Sequence, residues 1–378
     1  MKKNIHIFGT IFAGSIFVLS GIILGISFFS KPQTLPAEKE TEKKITFHPV
    51  ATLFDTEQLG LGGAADIVID GNYAYITAYE DDALQILDIS NPEHPIPVSV
   101  VFDTKEMALN GAHGVVVRDG YAYIAGYDNS GVQIIDVRDP EHPVPLGALF
   151  DTKALGLGGA HDIVLKDHYA FVSGYYDHAI QVLDISDPNH IVPVSVLFDT
   201  EDIALNGAHD MVRDGNFLYV ASEGDMGLQV IDISDPKHLS PVTSIIDTRE
   251  TALNGIHDVD IYKNFVVATA SYDYGIQFFD VTNPKNPQPS GRFFDYEETA
   301  LAGAVETAFM GDIMVVAGFY DNGVAFLDAS NLKHITHIQS LFDTKETALS
   351  SPNGVVVKGE YVFIVSYGES GVQVLKKE

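Results

Sequence analysis

One short motif recurs along the chain at a fixed spacing of 48 residues. The motif is Phe-Asp-Thr or a close variant, without insertion or deletion between copies. Its aspartate occurs at Asp55, Asp103, Asp151, Asp199, Asp247, Asp295 and Asp343. A fixed period of roughly 20–50 residues is typical of solenoids, propellers and other repeat proteins. We therefore expect every unit to fold in the same way, so that only departures from the repeat indicate a function.

The second unit shows the local pattern. Residues 114–118 form a β-branched run, residues 121–127 alternate aromatic and small residues, and residues 132–137 form another apolar run. Residues 146–150 form the last run, after a proline-rich break. Short apolar runs separated by Gly, Pro, Asp and Asn predict four strands in one antiparallel sheet.

The two ends of the repeat region predict how the sheets are arranged. A four-stranded sheet cannot bury both faces alone, and radial stacking of such sheets gives a propeller. The last unit stops after its third strand, residues 372–375, while residues 46–54 before the first unit match a fourth strand. The sequence therefore predicts an all-β, seven-bladed β-propeller over residues 46–378, with the N-terminal strand completing blade seven.

A linking segment begins at each repeated aspartate. In five units a glutamate or glutamine follows three positions later, as with Asp103 and Glu106, and a Gly usually follows. This is the spacing of a helix capping box, and it predicts one or two helical turns. We prefer this structural role for the aspartates to a ligand site, because a specific ligand site rarely needs seven copies.

The N-terminus has the features of an export signal. Lys2 and Lys3 precede a nearly uncharged stretch, residues 5–29, long enough to span a bilayer. Residues 1–29 are thus predicted to be a signal anchor or a cleaved signal peptide, with a flexible stalk at residues 30–45. In either case the propeller is expected outside the cytoplasm, as a single-pass membrane protein or a secreted one.

The charge and the composition of the chain exclude several classes of protein and of site. The first 44 residues hold six Lys and three Glu, which leaves 16 basic and 49 acidic residues and a charge of about −33 for the repeats. Such a surface repels nucleic acid and anionic lipid. The chain has no Cys, so it has neither disulfides nor thiolate metal sites. We find no phosphate-binding loop, nucleophile elbow or paired metalloprotease histidines.

The third strands carry a family motif. Leu84-Gln-Ile-Leu-Asp-Ile-Ser, Val132-Gln-Ile-Ile-Asp-Val, Ile180-Gln-Val-Leu-Asp-Ile-Ser and Leu228-Gln-Val-Ile-Asp-Ile-Ser, each followed by Asn-Pro or Asp-Pro, resemble the LVIVD-repeat family. The resemblance covers residues 46–378, and it implies a β-propeller at a bacterial or archaeal surface or secreted from the cell. It implies no catalytic residues. Units six and seven are degenerate, with Leu332 in place of proline and Lys376 in place of aspartate.

Polar residues at the start of the first strand of each unit are the candidate site. Propeller topology brings these starts together around one mouth of the axial channel. The candidate ligand-binding histidines are His113, His161, His209 and His257, and the candidate metal-binding carboxylates are Asp66, Asp162, Asp210, Asp258 and Glu306. Imidazole with carboxylate suits Zn²⁺, and carboxylates alone suit Ca²⁺. The alternative is a structural hydrogen-bond network that tandem copying has repeated.

Tyrosines precede the turn between the second and third strands on the same face. Tyr127, Tyr175 and Tyr272 are candidates for a recognition surface, since Tyr is enriched at interfaces. Packing between blades is the alternative role. We therefore predict a non-catalytic binding module for a protein or glycan partner at the cell surface. The alternative function is a metal-dependent, lactonase-like hydrolase that uses the axial His and carboxylate cluster, with Ca²⁺ or Zn²⁺ as cofactor.

Overall fold

The computed structural model describes residues 45–56, 58–152 and 154–378. The predicted signal or anchor segment and the predicted stalk up to residue 44 lie outside these residues. The described part of the chain is all β, and it contains no helix of the length and hydropathy needed to cross a membrane. Residues 45–378 form one compact unit.

Twenty-eight strands make up this unit. In chain order they are β1 Phe47–Phe54, β2 Ala64–Asp70, β3 Tyr73–Ala78, β4 Ala83–Asp88, β5 Ile96–Phe102, β6 Ala112–Arg118, β7 Tyr121–Gly126, β8 Gly131–Asp136, β9 Val144–Phe150, β10 Ala160–Lys166, β11 Tyr169–Gly174, β12 Ala179–Asp184, β13 Val192–Phe198, β14 Ala208–Asp214, β15 Phe217–Ser222, β16 Gly227–Asp232, β17 Ser240–Ile246, β18 Ile256–Tyr262, β19 Phe265–Ala270, β20 Gly275–Asp280, β21 Gln288–Phe294, β22 Ala304–Met310, β23 Ile313–Gly318, β24 Gly323–Asp328, β25 Thr336–Phe342, β26 Pro352–Lys358, β27 Tyr361–Ser366 and β28 Gly371–Lys377.

The strands form seven four-stranded antiparallel sheets, which are the blades of a β-propeller. Blades 1 to 6 each contain four consecutive strands in chain order, from β2–β5 to β22–β25. Blade 7 has the order β26, β27, β28 and β1. In it Phe47 lies opposite Lys377 and Phe54 lies opposite Gly371. The predicted seven-bladed fold and the closure by the N-terminal strand are confirmed.

The hydrophobic core lies between neighbouring blades. Tyr75 and Ile86 of blade 1 pack against Leu109 and Ile124 of blade 2. Ile76, the neighbour of Tyr75 in the chain, packs instead toward blade 7. Because successive side chains of a strand point to opposite faces, the middle strands are apolar on both faces. This explains why they read as continuous apolar runs in the sequence.

The prediction of a linking helix is wrong, because the segments after the repeated aspartates are turns in the described residues. Asp103 Oδ1 accepts the backbone N–H of Leu109, six residues on, at 3.0 Å. Leu109 is fully buried between blades 1 and 2. The aspartate therefore caps an open loop rather than a first helical turn. Glu106 accepts a hydrogen bond from the hydroxyl of Thr104 at 3.3 Å and does not complete a capping box with Asp103 in the described residues.

Candidate functional site at the axial channel

The starts of the inner strands and the turns between the second and third strands surround a cup at one mouth of the axial channel. Its volume is about 410 Å³. Six tyrosines form much of the wall: Tyr79, Tyr127, Tyr175, Tyr272, Tyr320 and Tyr367. The floor carries His113, His161, His209 and His257. The structure therefore brings together all seven histidines and tyrosines singled out as ligand-binding candidates.

The four histidines form a row of neighbouring rings across the floor. Ring centroids are 3.8 Å apart for His113 and His161, 3.6 Å for His161 and His209, and 4.0 Å for His209 and His257. Each histidine is the second residue of the inner strand in one of the consecutive blades 2 to 5, which places the rings side by side. His161 is 3% exposed and His209 is 6% exposed, whereas the outer two rings are partly exposed in the cup.

Burial lowers the pKa of three of these imidazoles, those of His113, His161 and His257. It lowers the pKa of His161 to about 3, and the adjacent His209 adds to the effect. The pKa values of His113 and His257 are also well below the usual range, first because of burial and second because of a neighbouring histidine. Although these two rings are partly exposed, the surrounding protein desolvates them. Neutral imidazoles at ordinary pH have lone pairs available for a proton or a metal ion.

A second, smaller cavity of about 120 Å³ lies along the channel next to the histidine row. His113 and His257 line both cavities. Five carboxylates line the smaller one: Asp66, Asp162, Asp210, Asp258 and Glu306. All the candidate metal-binding carboxylates thus face one cavity, as propeller topology predicts.

Four of these carboxylates hold neighbouring blades together. Asp66 Oδ2 accepts the backbone N–H of Val115 in the next blade at 2.8 Å. Equivalent bonds join Asp162 to Met211 (2.8 Å), Asp258 to Thr307 (3.0 Å) and Glu306 to Val355 (3.2 Å). These four carboxylates therefore belong to a structural hydrogen-bond network, which was the alternative to metal binding at these positions.

Desolvation perturbs the same four carboxylates. Burial raises the pKa of Asp66 to about 7, against the lowering effect of its bond from Val115. Burial also raises the pKa values of Asp162, Asp258 and Glu306 well above their usual range, and the nearest carboxylates contribute to each shift. The cavity therefore favours the protonated form of these groups.

Asp210 differs from the other four. Its Oδ1 lies 3.3 Å from His161 Nδ1 and 3.7 Å from His209 Nδ1. Burial alone would raise the pKa of Asp210, but the two histidines together lower it well below its usual range. Asp210 is thus an ionised carboxylate beside the neutral imidazole of His161. In the described chain, one donor atom from each of His161, His209 and Asp210 lies within 4.8 Å of the others, as metal ligands require.

Two blades lack a carboxylate at this position for steric reasons. A Cβ on Gly114 would lie 2.6 Å from the carbonyl oxygen of His161 in the adjacent blade. A Cβ on Gly354 would lie 2.6 Å from a methyl group of Val365. Next to Gly354, Asn353 donates from its Nδ2 to the carbonyl oxygen of Ala65 at 3.0 Å, which joins blade 7 to blade 1. The departures in these units therefore reflect close packing around the axis.

The tyrosine wall is held in place by carboxylates of the next blade. Tyr79 donates its hydroxyl to Asp128 at 2.8 Å, and Tyr175 donates to Glu223 at 2.7 Å. Tyr127 lies against Tyr176, with ring centroids 5.1 Å apart. Tyr272 is 53% exposed at the rim. These contacts fix several of the aromatic faces toward the cup without burying them between blades.

Sequence reasoning assigned no role to three features of this site. It did not pair the tyrosines with carboxylates one repeat later, although a spacing of 48 or 49 residues is visible for Tyr175 with Glu223 and Tyr79 with Asp128. It gave no function to Asn353, whose position in the repeat aligns it with the histidines. The unusual orientation of Asp210 has no signal in the sequence, because His161-Asp162 and His209-Asp210 share the same local motif.

The fold and its axial site define the class as a seven-bladed β-propeller, and solved structures of the same fold resemble it. The propeller domain of Cps50 (Swd1) from Myceliophteria thermophila matches with a TM-score of 0.66 and 12% identity, over 88% of this chain and 99% of that one. Virginiamycin B lyase from Staphylococcus aureus matches with a TM-score of 0.65 and 11% identity, over 88% and 99%. Kuenenia stuttgartiensis hydrazine synthase matches with a TM-score of 0.64 and 13% identity, over 89% and 98%. At this identity the likeness shows the fold alone.

The family follows from the sequence of the repeats. The LVIVD repeat model matches residues 61–103, 111–149, 157–196 and 207–247. The chain therefore contains four LVIVD repeats, in the four units whose third-strand motifs indicated this family. No curated protein matches the chain significantly.

Proposed function

We propose that this propeller is a non-catalytic binding module whose tyrosine-walled cup receives a positively charged group of a protein or glycan partner. The observation that carries the proposal is the cup itself. It is open, about 410 Å³ in volume, and walled by aromatic faces. Tyrosine contributes contact area with little loss of side-chain entropy, which suits recognition.

The charges around the cup favour a cation. Among the described residues, those that line the cup include Glu223 but neither Lys nor Arg. Asp128 and Glu223 also accept hydrogen bonds from the tyrosine wall, which makes the rings more electron-rich. A lysine, arginine or amino-sugar group over such rings gains a cation–π attraction. The charge of about −33 on the repeats attracts the same partners over a longer range.

Binding arrays test this proposal. The full-length chain is applied to a glycan array and to an array of basic and acidic peptides. Replacement of Tyr127, Tyr175 and Tyr272 by alanine should lower binding to positively charged probes at least about tenfold. The matched control replaces Tyr274 and Tyr296, which are 44% and 45% exposed but do not line the cup. Unchanged binding by a folded triple variant, or a preference for acidic probes, would refute the proposal.

We also propose that the module acts outside the cytoplasm, either tethered by residues 1–29 or secreted. The support is Lys2 and Lys3 before the apolar stretch at residues 5–29. Fusion of a reporter enzyme that is active only outside the cytoplasm to Glu378 tests this. An active fusion that is lost on deletion of residues 1–29 is expected, and a fusion active only inside the cell would contradict it.

A metal-dependent hydrolase is the second candidate, favoured by the group of His161, His209 and Asp210 where the cup meets the carboxylate cavity. A bound metal ion lowers the pKa of a coordinated water and can thereby produce a nucleophile. Lactone and ester substrates should then be hydrolysed by the zinc-loaded protein and not by the Asp210→Asn variant. Equal rates for the two proteins would remove this candidate.

A further inference from the structure

We propose that His161, His209 and Asp210 bind a single first-row divalent metal ion, most readily Zn²⁺, where the floor of the cup meets the carboxylate cavity. The site goes beyond partner binding and does not depend on it, since the tyrosine wall supplies none of the donors. Its three residues come from two adjacent blades: His161 is the second residue of the inner strand of blade 3, and His209 and Asp210 are the second and third residues of the inner strand of blade 4.

The distances fit a small metal ion. Metal–donor bonds of 2.0–2.2 Å in a tetrahedral site place the donors about 3.3 Å from each other. His161 Nδ1 and Asp210 Oδ1 are 3.3 Å apart, and the third donor lies within 4.8 Å of both. Two imidazoles and one carboxylate are a donor set suited to Zn²⁺. Three protein ligands leave one coordination position for water or a ligand.

His161 has an unused donor atom aimed into this group. Its side chain is only 4% exposed. Its Nδ1 is buried and, among the described residues, has no hydrogen-bond partner of good geometry, despite the short distance to Asp210. A buried polar atom without a partner carries a free-energy cost, which coordination to a metal ion would remove. This atom is the independent sign of a ligand.

Asp210 departs from the rule that the other four carboxylates follow. Asp66, Asp162, Asp258 and Glu306 each accept a backbone N–H of the next blade, 49 residues on. For Asp210 that donor would be Val259, but the described chain shows no such bond; its carboxylate faces the two histidines instead. The adjacent sequence of Asp162 is the same, so the difference arises from the surroundings and not from the local motif.

His209 is oriented by a backbone group in the way that metal ligands commonly are. Its Nδ1 lies 3.0 Å from the carbonyl oxygen of His257, close enough to donate its N–H. The other ring nitrogen then carries the lone pair that a metal ion needs. Ligand histidines usually donate their second N–H to a carbonyl or carboxylate, which fixes the ring and its tautomer.

A calcium site formed by the five carboxylates is less well supported. Ca²⁺ requires six to eight oxygen ligands. Asp66 and Asp162 use both of their oxygens to accept backbone N–H groups, at 2.6–2.8 Å. Among the described residues, the carboxylates alone supply no group of three donors within 4.8 Å of one another. The observations therefore favour the mixed histidine and aspartate site.

Metal titration of the full-length protein tests the site. The chain is stripped with a chelator and titrated with Zn²⁺ alone by calorimetry, and with Co²⁺ while its visible absorption is recorded. His161→Gln and Asp210→Asn remove one donor each. His113→Gln and Asp162→Asn are matched controls, because they lie at the same repeat positions outside the three donors. Circular dichroism of each metal-free variant verifies that it is folded.

The proposal predicts one equivalent of Zn²⁺ for the wild type and a tetrahedral Co²⁺ spectrum. Each ligand variant should lose more than about 100-fold in affinity, and each control less than about tenfold. Absence of stoichiometric binding by the wild type would overturn the site. Equal losses in the control and ligand variants would also overturn it, because they would indicate diffuse binding by the acidic channel.

Discussion

Phe47 of β1 stacks on Phe326 of β24, with ring centroids 3.7 Å apart and planes inclined by 12°. The contact joins the N-terminal strand of blade 7 to blade 6. The backbone of Phe47 also exchanges two hydrogen bonds with the Gln339 side chain, at 2.8 and 2.9 Å. The strand that closes the ring is therefore anchored to its neighbouring blade as well as to β28.

Replacement of Phe47 by alanine should destabilise the propeller by about 3–5 kcal/mol, because it leaves a cavity at the closure. Phe47 is 2% exposed. Chemical denaturation monitored by circular dichroism measures the change in the free energy of unfolding. Phe54→Ala is the control, since Phe54 ends the same strand and is 42% exposed. Similar decreases in the free energy of unfolding for the two variants would show that packing at the closure contributes no more to stability than an exposed residue of the same strand.

Replacement of Gln133 by methionine should lower the free energy of unfolding by about 1–3 kcal/mol or more, because it leaves several backbone groups without hydrogen-bond partners. Gln133 Oε1 accepts the N–H of Ala108 at 3.1 Å, and its Nε2 donates to the carbonyl of Ile134 at 2.8 Å. The side chain therefore fastens the linking turn to the third strand. Gln288→Met, at an exposed position, is the control in the same unfolding measurement. A smaller decrease in the free energy of unfolding than that of Gln288→Met would contradict this role.

Replacement of Met226 by asparagine should stabilise the protein by about 0.5–1.5 kcal/mol. In blade 1, Asp82 Oδ1 at the equivalent turn position accepts the N–H of Gly111 at 2.8 Å. Met226 has a positive φ of 51° and no side-chain acceptor for the corresponding N–H of Gly255. Asparagine tolerates this backbone conformation and supplies the acceptor. The melting temperature should rise for Met226→Asn and fall for Asp82→Ala; a fall in both would contradict the argument.

The fold was predictable because its determinants are repeated and local. The 48-residue period, the turn residues and the strand-like residues 46–54 specify seven blades and their closure. The linking turns were not predictable, because Asp103 and Glu106 have the spacing of a helix cap. In the structure Leu109 is buried between two blades, and this burial is a tertiary effect that the local spacing does not contain.

The candidate site was predictable in its composition and not in its contacts. Propeller topology alone brings the strand starts together, so the histidines, the tyrosines and the carboxylates converge as expected. The roles within the group depend on neighbours from other blades. Asp162 and Asp210 follow identical residues, yet one binds Met211 and the other faces His161. No sequence pattern within one unit contains that information.

The carboxylate cavity should give the protein a measurable pH dependence through Asp66. Its pKa is raised to about 7 in the folded protein, against about 3.9 in an unfolded chain. The folded state therefore binds more protons than the unfolded state between these values, and the contribution of Asp66 to stability falls as the pH rises from about 4 to about 7. Buried histidines such as His161 act in the opposite direction, since a lowered pKa makes stability fall as the pH decreases through about 6.5.

The variant Asp66→Asn separates the two effects, because it removes one carboxylate and leaves every histidine in place. The difference in the free energy of unfolding, variant minus wild type, should increase by on the order of 2 kcal/mol when the pH is raised from 5 to 8. Its absolute stability can be lower at pH 5, since an amide replaces an acceptor of two N–H groups. Asp70→Asn, at the exposed end of the same strand, is the control. A difference that does not change with pH would mean that Asp66 is ionised in the folded protein across this range.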